Sequence, residues 1–168
     1  VLDNVLIPTL ARRDGAFALR AWSRTDEQAG VRARAEHMLE QVGLAGMRGV
    51  PARSLSRGDK RRLGLAMCLV QDPQLLLLDE PTAGMSRADT NNTIDLLQRI
   101  GGGKVTMVII EHDIALVRSV ADRLVAMDQG RVVVDGDPDD VLRHPVVVDS
   151  YLGTSEVAVA RSGAAPVR

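Results

Sequence analysis

Apolar side chains recur along this chain at two different spacings, and the change between them divides it. Between residues 26 and 42, Val31, Ala35, Met38, Leu39 and Val42 fall on one stripe of a helix, with Gly43 as its expected stop. His37 lies off that stripe and reads as a solvated surface residue. Residues 1–10 are apolar around Asp3-Asn4 and predict a helix entered from sequence upstream. Residues 11–25 carry Gly15, Phe17 and Trp22 without a clean period and predict a loop with partial helix. After a turn-rich connection punctuated by Gly49 and Pro51, a helix is expected over 58–70. It turns Leu63, Ala66, Met67 and Val70 inward, and Cys68 reads as a small buried hydrophobe.

Past Asp72-Pro73 the period changes. Leu75, Leu76, Leu77 and Leu78 predict a short strand apolar on both faces, which needs cover above and below. Pro81 cannot donate to a ladder, so the strand stops before it. Ser86 with Asp89 forms a capping box for a helix over 87–100, and three glycines, 101–103, unwind it. Thr106 to Ile110 reads as a second buried strand, and this strand–helix–strand order implies a parallel sheet. Asp113 is the expected N-cap of a helix over 114–121. Leu124–Met127 and Arg131–Val134 flank Gln129-Gly130 as a hairpin, and Asp137-Pro138 opens another short helix. After Tyr151-Leu152-Gly153 the residues are small and unpatterned. The expected organisation is a helical region over 1–72, an α/β core over 73–153 and a disordered tail over 154–168.

Composition adds mainly exclusions. A 168-residue chain, 45% hydrophobic and 26% charged, is one domain's worth of ordinary globular protein or one domain cut short. The net charge of −1 signals no polyanion-binding surface, so no nucleic acid partner is expected. A single cysteine rules out an internal disulfide and suits a reducing compartment. No apolar run approaches the ~20 residues that span a bilayer, so any membrane contact would go through a partner protein. Val1 is neither an initiator Met nor the start of a signal segment, and the chain reads as the middle of something longer.

The candidate chemistry centres on Asp79 and Glu80, two carboxylates delivered to the carboxyl end of a core strand, where open α/β sheets place their ligands. Taken alone the pair is equally compatible with a capped strand end. The flanking segments decide otherwise. Upstream stands Ser54-Leu55-Ser56-Arg57-Gly58-Asp59-Lys60-Arg61-Arg62-Leu63, and downstream Ile109-Ile110-Glu111-His112-Asp113. In that order and at these spacings the three segments resemble the signature, Walker B and switch-histidine motifs of ATP-binding-cassette (ABC) ATPases, and the resemblance covers nearly the whole chain.

The resemblance implies an α/β fold: a P-loop NTPase-like (RecA-like) parallel sheet, incomplete at the N-terminus, with a helical signature subdomain. It implies ATP and Mg²⁺ as cofactors, with Asp79 holding the metal through water and Glu80 acting as general base. His112 matches the histidine that contacts the γ-phosphate. Leu55-Ser56-Arg57-Gly58-Asp59 stands where the family has Leu-Ser-Gly-Gly-Gln, and the helix N-terminus that follows favours a phosphate held by a second subunit. Ser56 supplies a hydroxyl and Gly58 a close approach. Arg57 replaces a glycine, and Asp59, which replaces a glutamine, would repel a phosphate that it faced. Ala83-Gly84-Met85-Ser86 occupies the place of the D-loop, with Ser86 in place of its usual Asp.

A phosphate-cradling G-x-x-x-x-G-K-[ST] segment is absent from the sequence. The one Gly-Lys pair, Gly103-Lys104, lies between a helix and a strand and reads as a loop. The resemblance therefore begins after the P-loop, and the 168-residue chain alone is expected to be inactive. Val1-Leu2-Asp3-Asn4-Val5, Ala83-Gly84 and Tyr151-Leu152-Gly153 are similar to the ATPases of branched-chain amino acid importers, with urea and lipopolysaccharide transport ATPases close behind. That group implies transmembrane permease subunits and a second ATPase subunit as partners, at the cytoplasmic face of the membrane. Two other readings stay open, a soluble ABC ATPase outside transport and a non-catalytic remnant that binds partners only.

Overall fold

A computed structural model of the chain describes residues 1–14, 25–103 and 105–149. They group into two compact units, one ending at Ile110 and one beginning at Glu111. The disordered-tail expectation for 154–168 and most of the loop expected over 11–25 lie outside the described residues.

In the first unit three helices form a cluster: α1 (Leu2–Asp14), α2 (Thr25–Gln41) and α3 (Arg57–Leu69), with α1 against both of the others. α1 continues four residues beyond the expected Leu10, through Pro8. The α2 stripe is buried as its spacing predicts, with Val31, Ala35, Leu39 and Val42 each less than a tenth exposed. Gly43 ends the helix at φ +73°, a left-handed conformation that glycine adopts without strain. Val5 and Leu44 complete a core with Leu63, Ala66 and Val70.

Cys68 is exposed rather than buried. It sits four residues from Gly64, also exposed, on the outward face of α3, while Leu65, Ala66 and Leu69 share the inward one. The carboxyl end of α3 is held by arginines from both neighbouring helices. Arg34 donates to the Val70 carbonyl at 3.1–3.2 Å, and Arg12 donates to the Gln71 carbonyl. Both reach Asp72, which turns the chain at φ +48° toward the sheet. Cations here meet the free carbonyls and the negative end of the helix dipole.

β1 (Leu75–Asp79) and β2 (Thr106–Ile110) pair in parallel, joined by α4 (Arg87–Gly101), as the strand–helix–strand order predicts. The register sets Leu77 beside Val108 and Asp79 beside Ile110. The strands are not buried on both faces. Leu76 is buried, but Leu75, Leu77, Val108 and Ile110 form an apolar face that is half to two-thirds exposed, with Leu77 at 69%. The described residues cover one side of this two-stranded sheet and leave the other open.

The second unit starts with α5 (Ile114–Val120), capped by Asp113, whose Oδ1 accepts from Ala115 N at 2.9 Å and Leu116 N at 3.3 Å. β3 (Leu124–Asp128) and β4 (Arg131–Gly136) form the expected antiparallel hairpin. Its turn residues Gln129 and Gly130 both have positive φ, as a two-residue hairpin turn following right-twisted strands requires. α6 (Pro138–Arg143) follows the Asp137 cap, and Ala126, Val141 and Val147 make a small core with Leu124 and Val134. Arg123 grips Asp135 with two bonds of 2.7 and 2.6 Å across the hairpin.

Two expectations follow. The open apolar face should drive self-association of the 168-residue chain, which Leu77→Lys should suppress. Light scattering reads this, and a monodisperse monomer without the substitution refutes it. The hydrogen bonds and charge of Arg123 hold the Asp135 carboxyl below its ordinary value of 3.8. A lowered folded value means the pair stabilises above the ordinary carboxylate range, and that contribution is lost as pH falls through the folded value. Carboxyl NMR should show Asp135 titrating below the usual range, and Arg123→Ala should return it to normal; an ordinary titration in the parent chain contradicts the pairing.

Candidate functional site

Asp79 and Glu80 are where the leucine run places them, the first as the last residue of β1 and the second in the turn beyond it. Both are exposed. Glu80 is left-handed at φ +43°, a conformation that costs a non-glycine residue about 1–3 kcal/mol and persists only where surroundings enforce it. Three hydrogen bonds do so. The Glu80 N–H donates to the Ile110 carbonyl of β2 at 2.9 Å, and the Glu80 carbonyl accepts from Ala83 N at 3.2 Å and from Arg61 Nη1 at 2.7 Å. The backbone under this carboxylate is thus fixed by the neighbouring strand, by its own turn and by α3.

The signature segment forms the start of α3. Ser56 is the N-cap, its Oγ accepting from Asp59 N at 3.0 Å and donating to Asp59 Oδ2 at 2.7 Å. Asp59 also accepts from Arg62 Nη2 at 2.5 Å, and the side chains of this pair are only 14% and 17% exposed. The charge at Asp59 is therefore compensated within the helix rather than left facing outward. At Gly58 the close approach is by Asp89 of α4, whose Cγ would lie 3.1 Å from an added Cβ.

The segment 83–86 runs from Glu80 into α4. Gly84 has φ +69°, a conformation that calls for glycine, and the Arg57 guanidinium lies where an added Cβ would stand, its Nη1 2.6 Å away. Met85 N donates to the Thr82 carbonyl at 3.1 Å, and Thr82 is buried. Ser86 serves as the N-cap of α4, accepting from Asp89 N at 3.2 Å and donating to Asp89 Oδ2 at 2.7 Å. The structure thus sets the start of α3 against the chain from Glu80 to Asp89, with Arg57 at Gly84 and Gly58 at Asp89. Arg61 reaches the Glu80 carbonyl, and Arg62 reaches the Asp89 carboxylate of α4. In sequence Arg57 reads only as a replacement for a glycine, and Arg61 and Arg62 as two of the charged residues that follow Asp59.

His112 belongs to the second unit. Its side chain is 72% exposed, and its N–H donates to Glu111 Oε2 at 3.0 Å. The Glu111 side chain is fully buried, a feature that the Glu-His-Asp pattern did not predict. No group of three or more His, Cys, Asp or Glu side chains able to hold a metal occurs among the described residues. One exposed carboxylate is a partial donor set. It suits Mg²⁺, which keeps several waters and takes the rest of its ligands from phosphates, better than a metal caged by protein alone. No described helix is long and apolar enough to cross a membrane.

Residues 3–83 match the family described as ABC transporter, a span that includes the signature segment and Asp79-Glu80. The high-affinity branched-chain amino acid transport ATP-binding protein BraF of Pseudomonas aeruginosa is 36% identical over 83% of this chain and 54% of its own length. LivG of Escherichia coli K12, which carries the same description, is 33% identical over 91% of this chain and 62% of its own length. The methionine import ATP-binding protein MetN of Caulobacter vibrioides is 36% identical over 84% of this chain and 42% of its own length. The chain thus spans between 42% and 62% of the length of these three relatives. Among solved structures, the ADP conformation of MJ1267, an ATP-binding cassette of an ABC transporter, shares the fold with a TM-score of 0.72. Its identity is 24%, over 90% of this chain and 62% of that one. CbiO1 of Clostridium perfringens, part of the ABC transporter complex cbiONQ, has a TM-score of 0.64 at 27% identity, over 85% of this chain and 56% of that one. With a P-loop NTPase-like fold and sequence relatives that run through its signature and its paired acids, the chain belongs to the ABC transporter ATP-binding family.

Proposed function

We propose that the protein carrying this chain is the ATP-hydrolysing subunit of a transporter that imports branched-chain amino acids. The observation that carries the chemistry is Glu80, a carboxylate just past a core strand whose strained backbone is held by three hydrogen bonds. The similarity to BraF and LivG, over most of the chain, supports the substrate class.

In this reading Glu80 accepts the proton of the attacking water as general base, and Asp79 would hold Mg²⁺ through water. Mg²⁺ when bound neutralises charge on the phosphates. His112, exposed at the start of the second unit, donates to the γ-phosphate. Ser56 and the free N–H groups at the start of α3 meet the phosphate of ATP held by a second, paired subunit. To do so Ser56 turns its hydroxyl proton away from Asp59, which keeps its bond to Arg62. The paired subunits act on transmembrane permease partners from the cytoplasmic face of the membrane. Similarity to MetN favours a second substrate, methionine, within the same chemistry.

In the complete subunit Glu80→Gln should still bind ATP while its turnover falls by a factor on the order of 10²–10⁴. Ser56→Ala should weaken pairing of ATP-loaded subunits and leave ATP binding by one subunit intact; loss of that binding would show that Ser56 acts within its own subunit. Uptake of labelled leucine against labelled methionine separates the two substrates, and uptake of methionine alone overturns the branched-chain assignment. The 168-residue chain by itself should not hydrolyse ATP, since its sequence holds no phosphate-cradling lysine loop and positioning supplies most of the catalysis in phosphoryl transfer. Steady turnover by that chain, abolished by Glu80→Ala, would disprove this.

A further inference from the structure

Arginines at 57 and 61 are four residues apart in α3 and therefore share a face of the helix. Both reach the same short segment. Arg61 donates through Nη1 to the Glu80 carbonyl at 2.7 Å, and the Arg57 guanidinium fills the space over Gly84. One residue further around, Arg62 reaches Asp89 Oδ1 at 3.7 Å, so the start of α3 touches the chain at three points between 80 and 89. Of these contacts, the one at Glu80 falls on a residue in a strained backbone conformation.

We propose that Arg61 is a positioning residue for Glu80: its bond to the Glu80 carbonyl holds the left-handed turn and so ties the placement of the carboxylate to the signature helix of the same subunit. The inference rests on the reading of Glu80 as general base. Its physical content is a balance between strain and support. A glutamate at φ +43° relaxes toward negative φ unless its peptide groups are held, and such relaxation swings the side chain. The bond to Ile110 fixes the peptide before Glu80, and the Ala83 and Arg61 bonds fix the one after it. Arg61 alone among these three is a side chain, so its bond can be removed by substitution while both backbone hydrogen bonds keep their donors and acceptors. Because α3 begins at the signature, a shift of that helix when a nucleotide engages it moves the Arg61 guanidinium, and with it the Glu80 peptide.

The test uses the complete subunit, with Arg61→Met and Arg61→Lys each made alone and together with Glu80→Gln. Misplacing a catalytic group by about an ångström can cost on the order of 100-fold in rate. Arg61→Met should therefore lower kcat by about 10- to 100-fold while KM for ATP stays within about twofold. Arg61→Lys, which keeps a donor of similar reach, should recover most of the loss. In the Glu80→Gln background Arg61→Met should have almost no further effect, because two changes acting through one group do not add. Hydrogen exchange of the Ala83 and Met85 amides should quicken in Arg61→Met while α1 and α2 stay protected. If Met at 61 prevents folding, Arg61→Gln repeats the series. An unchanged kcat, a full multiplicative loss in the Glu80→Gln background, or unchanged exchange at Ala83 and Met85 overturns the proposal. If Glu80→Gln itself leaves kcat intact, the general-base reading fails instead, and the exchange measurement still decides whether Arg61 holds the turn.

Discussion

The surroundings of the candidate site depend on how the start of α3 meets the start of α4, where Gly58 and Arg62 both approach Asp89. Gly58 favours a close approach, because an added Cβ would lie 3.1 Å from Asp89 Cγ and the carboxylate would have to give by a few tenths of an ångström. Both helices open with the same device, a serine cap three residues before an aspartate whose N–H it accepts. Stacked closely, two helix starts would also bring two carboxylates together. Arg62 lies between them, 2.5 Å from Asp59 and 3.7 Å from Asp89, and its charge makes the apposition favourable. At this half-buried site either two acids without the cation or the cation without an acid would be less favourable.

From that apposition the rest of the site follows mechanically. α3 is anchored at its carboxyl end by Arg12 and Arg34 from its two helical neighbours, and at its amino end by its contacts with the 80–89 segment. The helix therefore spans from the turn into β1 to the turn out of it, and the strand between is held at both ends. Glu80 is the residue whose two flanking peptide groups are held by strand, turn and helix together. The apolar face formed by Leu75, Leu77, Val108 and Ile110 bears on the same site from outside. Whatever covers that face sets the stiffness of the strands that present Asp79 and Glu80. The second unit is organised on its own terms, by a hairpin turn, three aspartate-capped or ion-paired junctions and a small aliphatic core.

Much of this was legible in the chain itself, because local rules act over a few residues. The stripe of α2, the stop at Gly43, the caps at Ser86, Asp113 and Asp137, and the Gln129-Gly130 hairpin all depend on near neighbours in sequence, and each stands where its pattern predicts. The position of Asp79 and Glu80 at a strand end was legible for the same reason. What only the tertiary structure decided is which groups meet across the chain. Four leucines in a row specify a strand but not how many of its faces are covered, since cover comes from other elements; one face of Leu75–Leu78 stays open. A cysteine near a helical stripe can face either way, and the packing of α1 against α3 left Cys68 outward. In sequence Arg57 stands out only as a replacement for a glycine, and Arg61 and Arg62 only as charged residues beyond it. Their separate tasks at Gly84, Glu80 and Asp59 with Asp89 exist only once α3 lies against the turn beyond β1, because a side-chain donor finds its acceptor by distance in space and not by spacing in sequence.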